Sequence, residues 1–242
     1  MTYGTLYGIG VGPGDPELVT VKGARLLGEC KKLFVPKARI KAESVALAII
    51  ERYVNPQAVI EELVFPMVMD KNELERQWAE SASKIASWLA TGQDACFVTL
   101  GDSLLYSTYI YLVRALKKAA PEARVSTVPG VTAFSAAAAL TDFPVGEAKE
   151  PVTIIPAADD LGSVRQAVRG EGTVILMKVG KRLHGILDAL EEAEVIDSAV
   201  FTAYAGLEGE RVETNLRNLK NEDPQIGYLS TILVHCGKRK EA

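Results

Sequence analysis

Up to Pro144 the sequence repeats one device: a short apolar run of β-forming residues, then a stretch whose apolar positions fall at helical spacing. "TLYGIG", "KLFVP", "DACFVTLGD" and "RVSTVPG" read as strands, and "AVIEELVF" is extended at its start. Between them "PELVTVKGARLLGE", "SVALAIIERYV", an amphipathic stretch from about Asn72 to Thr91 ended by Gly92, "TYIYLVRALKKAA" and "VTAFSAAAAL" read as helices. A strand that follows a helix joins its predecessor's sheet through a crossover, so this alternation predicts a parallel sheet with helices on its faces. After Pro144 the texture changes. "VTIIPA", "GTVILMKVG", "SAVFTAYAG", "RVETNL" and "STILVHC" are strand-like, with only two convincing helices among them. The expected fold is therefore α/β in two domains: a mostly parallel N-terminal sheet (residues 1–130) and a mixed, strand-rich C-terminal sheet (131–242). The boundary falls between Pro129 and Pro151.

Composition excludes several functions. A net charge of −4 argues against a general nucleic-acid binder. No apolar run is long enough to span a bilayer, and "MTYGTLYG" lacks the basic and apolar blocks of a signal peptide. Cys30, Cys96 and Cys236 are odd in number, widely spaced and never in a C-x-x-C pair. They read as thiols of a reducing cytoplasm rather than a disulfide frame or a zinc site. His184 and His235 are the two histidines, and no H-E-x-x-H or clustered His/Cys/Asp set accompanies them, so no protein-bound metal is expected.

The stretch "LYGIGVGPGDPEL", Leu6 to Leu18, runs a strand into glycines and then towards a helix. That is the setting of a nucleotide fingerprint, but the spacing fails. The dinucleotide pattern needs a glycine five places after its first, where Gly8 and Gly10 find Pro13 and Asp15. The ATP-type loop needs Gly-Lys-Ser/Thr, which is absent. Asp15 suits a helix N-cap with Pro16 in the first turn, and a carboxylate there discourages phosphate. A plain tight turn remains one reading. Two further stretches point elsewhere: "TLGDSLLYS" (Thr99–Ser107) and "TVPGVTAFSAAAA" (Thr127–Ala139) also end strands in Gly, Pro or Asp. Loops at the carboxyl ends of parallel strands line the ligand crevice, and three of this kind make a pocket walled by backbone. The alanines of the third stretch equally suit close packing of a helix on the sheet.

In this order and spacing, Gly10-x-Gly12-Pro13-Gly14-Asp15, Gly101-Asp102-x-x-x-Tyr106 and Pro129-Gly130-Val131-Thr132-Ala133 resemble the tetrapyrrole methylases. These are S-adenosyl-methionine-dependent enzymes of cobalamin and sirohaem synthesis, and the likeness covers essentially the whole chain. "GDSLLYSTYIYL", with Ser107 where branches acting elsewhere usually have glycine, and "FPM" at Phe65–Met67 resemble the branch acting at C20 of precorrin-2 or its cobalt form. Members acting at another ring position, or diphthamide-type methyltransferases, are the alternative. Ser103 stands where the family usually has proline; serine can take the same backbone angles without locking them.

The resemblance implies two α/β domains, a methyl donor in a cleft between them, and a homodimer. It places Pro13 beside the donor, with Leu100, Gly101, Asp102 and Leu105 at its amino-acid and sulfonium end. Thr132 and Ala133 meet it from the other side. Met177, Tyr204, Ala205, Gly206, Thr231 and Ile232 fall on the adenosine side. Met177 also reads simply as a core residue ending a strand, and Asp102 as a turn-former. No catalytic base is identifiable; Asp102 and Tyr106 are the weak candidates. The substrate would be a polyanion while the chain is acidic, so local cations must meet it. Lys37, Arg39 and Lys41 of "PKARIKAES" are candidates for that role, or else part of a solvated loop.

Overall fold

The computed structural model describes residues 2–37, 44–65, 70–156, 160–223 and 229–237. The chain divides into two compact units, Met1–Thr132 and Ala133–Ala242. Among the described residues no helix is long and apolar enough to cross a membrane.

The first unit holds β1 (Thr5–Gly10), α1 (Val21–Glu29), β2 (Lys32–Lys37), α2 (Val45–Ile50), β3 (Val59–Val64), α3 (Lys71–Leu89), β4 (Ala95–Thr99), α4 (Tyr109–Ala119) and β5 (Arg124–Val128). Its five strands are all parallel, in the order β3-β2-β4-β1-β5. β1 lies between β4 and β5, with Gly10 opposite Thr99 and Ile9 opposite Val128. The turns leaving these three strands are thus neighbours at one edge of the sheet, where the strand order reverses. Ligands of open α/β sheets bind in that location.

Side chains that alternate across the strands bury one face under α3 and α4. Leu6, Phe34, Phe97, Tyr109, Leu112 and Leu116 join Ile85 and Leu89 in this core. Each large apolar side chain so buried contributes roughly 1.5–3 kcal/mol. Tyr109 lies so close to β1 that a Cβ on Gly8 would sit 2.0 Å from its ring. The glycine in "YGIG" is therefore a packing requirement of the buried tyrosine.

The expected helix "PELVTVKGARLLGE" divides. Asp15 does cap, accepting from the Glu17 N–H at 2.8 Å, but it caps a single 3₁₀ turn, Pro16–Leu18. The chain then restarts: Thr20 Oγ1 accepts from Gly23 N–H and α1 begins at Val21. "SVALAIIERYV" likewise ends its α-helix at Ile50 and closes with a 3₁₀ turn. There the Val54 N–H bonds Glu51 O, the tighter pattern of a 3₁₀ turn.

The second unit holds α5 (Ala133–Leu140), β6 (Val152–Pro156), α6 (Leu161–Ala167), β7 (Gly172–Met177), α7 (Leu183–Glu192), β8 (Ala199–Ala203), β9 (Arg211–Glu213) and β10 (Ser230–Cys236). The sheet order is β6-β7-β10-β8-β9, with β6 parallel to β7 and every other pairing antiparallel. One face packs Val174, Leu176, Phe201, Ile232 and Val234 against Ile186, Leu187 and Leu190 of α7. β10 is buried along its whole length, as the central strand of such a sheet must be. The mixed α/β fold matches the sequence expectation, including all five strands after Pro144.

Candidate cofactor site

The first unit brings its three glycine-bearing turns together through backbone. Gly12 N–H donates to Gly101 O at 3.2 Å, and Gly101 N–H returns a bond to Gly12 O at 2.7 Å. The third turn arrives against them. A Cβ on Gly130 would lie 2.2 Å from Gly101 O and 2.8 Å from Gly10 Cα; one on Gly10 would lie 2.6 Å from Gly130 N. No residue but glycine fits at either position without moving main chain. Gly101 itself has φ +69°, and nothing lies within 4 Å of where its side chain would be. That is open space against bare backbone, which suits a ligand held by main-chain groups.

Side chains fasten this junction. Asp102 Oδ1 accepts from Leu104 N–H at 2.8 Å, and Oδ2 accepts from Gly130 N–H at 3.0 Å. One carboxylate thus ties the second turn to the third, with both oxygens engaged by amides. Such a group holds geometry. Next to it, fully buried Ser103 donates to Val128 O at 2.9 Å. A hydrogen bond therefore supplies the rigidity that a proline ring would give. Ser107 Oγ is 2.9 Å from Thr99 Oγ1 and accepts from Tyr109 N–H at 3.1 Å, fixing the far end of the loop to β4.

Between these anchors Tyr106 adopts a left-handed backbone, φ 51°, with its side chain partly exposed, and Leu104 stands 61% exposed. Leu100, Asp102 and Leu105 are half-buried; Pro13 is buried in the first turn. Thr132 ends the first unit and Ala133 opens α5 in the second.

In the second unit, antiparallel register gathers the other candidates. Met177 ends β7 directly opposite Thr231, beside Ile232 on β10, while Ser230 faces Ala203 at the end of β8. Tyr204 N–H then bonds Leu229 O at 3.2 Å, and Glu210 accepts from Gly206 N–H at 2.7 Å, folding back the loop that carries Ala205. Lys178, Tyr204 and Leu229 have positive φ without being glycine, and Gly206 shares that conformation. Desolvation holds the Lys178 ammonium below the usual lysine range. Strained backbone of this kind concentrates at ligand sites. The roles of Ser107 and Glu210 were not read from the sequence. A Glu four residues after a loop glycine was the available signal for the second.

The proposed cations fare differently. Lys37 is ion-paired with Glu62 at 2.8 Å, next door on β3. Arg39 and Lys41, like Pro66 and Met67 of "FPM", lie outside the described residues. The histidines take packing positions: His184 Nε2 is 3.0 Å from Glu222 O, and buried His235 lies 3.9 Å from Glu150.

Comparison with known proteins gives a consistent picture. A family model described as Tetrapyrrole (Corrin/Porphyrin) Methylases matches residues 5–220. The chain is 34% identical to the cobalt-precorrin-2 C(20)-methyltransferase of Salmonella typhimurium, over 96% of both chains. Among solved structures, a cobalt precorrin-4 methyltransferase superposes with a TM-score of 0.76 at 21% identity, covering 96% of this chain and 94% of that one. A uroporphyrin-III C-methyltransferase from Thermus thermophilus, solved with S-adenosyl-homocysteine, gives 0.65 at 20% identity, covering 96% and 97%.

Proposed function

The chain belongs to the tetrapyrrole methylase family, and on that premise we propose that it moves the methyl group of S-adenosyl-methionine to C20 of precorrin-2 or its cobalt form, in cobalamin synthesis. One observation carries the reading: three turns interlocked at Gly10, Gly101 and Gly130 leave bare, pre-arranged backbone at the edge of a parallel sheet. The relative that is 34% identical and named for C20 of cobalt-precorrin-2 supports the ring position, and favours the cobalt-bearing substrate. The relative solved with S-adenosyl-homocysteine supports the donor.

A methyl group on sulfonium is already activated, and the donor supplies that chemistry when bound. What remains for the protein is placement. In this reading Pro13, Leu100, Gly101 and Leu105 hold the amino-acid and sulfonium end, with Thr132 and Ala133. Met177, Tyr204, Ala205, Gly206, Thr231 and Ile232 receive the adenosine. Asp102 is a positioning residue. Holding two reactants in near-attack geometry is worth about 7–11 kcal/mol, enough to make a strong base unnecessary. The ring nitrogens of the tetrapyrrole push electrons to the meso carbon, whose hydrogen then leaves as a proton to solvent. The reading needs no resident metal; cobalt arrives with the substrate. It places the enzyme in the cytoplasm as a homodimer.

The test is an anaerobic incubation with methyl-labelled donor and either metal-free or cobalt-bearing substrate, the label then located by NMR. Label at C20 is expected. Label at another meso or ring carbon replaces the assignment with another branch of the family, and sedimentation of the active species checks the dimer.

A further inference from the structure

Away from the glycine turns, the first unit contains a cavity of about 330 Å³ whose lining includes two of the three cysteines. Cys30 closes the C-terminal end of α1, and Cys96 is the second residue of β4. They are 66 residues apart in sequence, so nothing in their spacing announces them as a pair. In the fold they share one acceptor: Leu26 O takes the Cys30 N–H at 3.0 Å and the Cys96 thiol at 3.7 Å. Cys30 Sγ donates to Lys32 O at 2.8 Å. Lys22, Arg25, Glu29 and Asp94 also line the cavity, so charges of both signs surround the two thiols.

The two thiols are unequal. The neighbouring Cys96 thiol holds the Cys30 thiol below the usual range, while the Cys30 thiol and burial push Cys96 up. The remaining cysteine, Cys236, is raised to about 11 by desolvation alone; all three cysteines are buried, but Cys236 does not line the cavity. Low-pKa thiols with a neighbouring second thiol are the reactive arrangement; buried high-pKa ones are inert.

We propose that Cys30 and Cys96 form a dithiol site that a small disulfide entering this cavity oxidises to an internal disulfide. The Cys30 thiolate attacks one sulfur of the small disulfide, whose S–S bond breaks and releases one thiolate. Cys96 then gives its proton to that leaving thiolate and attacks Cys30 Sγ, expelling the second small thiol. Two electrons pass from the cysteine pair to the small disulfide, which becomes two thiols. The site is independent of the methyl-transfer reading, because the cavity touches none of the three glycine turns.

The experiment treats the native, full-length reduced protein with excess oxidised glutathione, quenches with acid and maps peptides by mass spectrometry. The expected result is a Cys30–Cys96 cross-linked peptide, loss of two titratable thiols out of three, and reversal by dithiothreitol. Cys30 should react at least about tenfold faster than Cys236. Cys96→Ser should stop at a glutathione adduct on Cys30, and Cys30→Ser should leave Cys96 unmodified. Should a serine variant not fold, the wild-type map decides alone. A stable adduct on Cys30 with no cross-link in the wild type, cross-linking that joins two molecules, or Cys236 reacting as fast as Cys30 would overturn the proposal. So would no reaction in the folded protein.

Discussion

The two units gather their candidate site residues by opposite means. In the first, parallel strands β4, β1 and β5 deliver three turns side by side, and contact is made by main chain against main chain at Gly10, Gly101 and Gly130. In the second, antiparallel register sets Met177 opposite Thr231 and Ala203 opposite Ser230, and non-glycine residues carry the sharp bends at Lys178, Tyr204 and Leu229. The difference teaches where each half tolerates change. A backbone junction fails when any atom is added; a register-built site fails when pairing slips, and its bends carry strain that substitution can relieve.

The largest effect expected is at Gly130. Gly130→Ala places a methyl 2.2 Å from a carbonyl oxygen that has nowhere to go. It should destabilise at or beyond the top of the ~1–3 kcal/mol range for overpacking. Donor affinity, measured by calorimetry with S-adenosyl-homocysteine, should fall about 100-fold, as ångström-scale misplacement does. Gly101→Ala sharpens the contrast, since its side chain meets open space and only the left-handed backbone resists, at about 1–2 kcal/mol. Equal losses of stability for the two would show that crowding at the junction is not what makes glycine necessary.

Ser103→Ala tests the side-chain fastening of the same junction. It removes the buried hydrogen bond to Val128 O, and stability by urea unfolding should fall by about 0.5–1.5 kcal/mol. The second unit should respond with the opposite sign. Lys178→Gly removes left-handed strain worth about 1–2 kcal/mol and adds chain entropy of about 0.5–1, for a net gain of ~0.5–1 kcal/mol. A clear loss instead would mean that the lysine side chain stabilises the loop more than its backbone strains it.

A further effect is expected in alkali. Burial raises Cys236 from an ordinary 9.0 to about 11, so the folded state keeps a proton that the unfolded chain releases. Stability from this group is complete below pH 9 and is lost as pH rises from about 9 through about 11. Thermal melts of the wild type should decline over that window more steeply than those of Cys236→Ser.

Much of this architecture was legible in the residues. The alternation of "DACFVT" with "TYIYLVRALKKA" announces a parallel crossover because period-2 and period-3.6 burial cannot be exchanged. The five strands after Pro144 are equally plain from their β-branched runs. The restart at Thr20 was not, because Asp15 and Thr20 are both good caps and only packing chooses between them. At the site, the glycines identified themselves by type and order. Asp102 did not reveal that both its oxygens serve backbone amides, nor Lys37 that it is ion-paired with Glu62.

By itself the sequence determined the α/β class, the strands and the three turns, because these follow from local burial periodicity and from residues with special backbone freedom. Only the tertiary structure decided that Gly130 lies on Gly101, that Ser103 locks to β5, and that Cys30 meets Cys96. Those are contacts between residues distant in the chain. Strand order creates them, and no local preference encodes strand order.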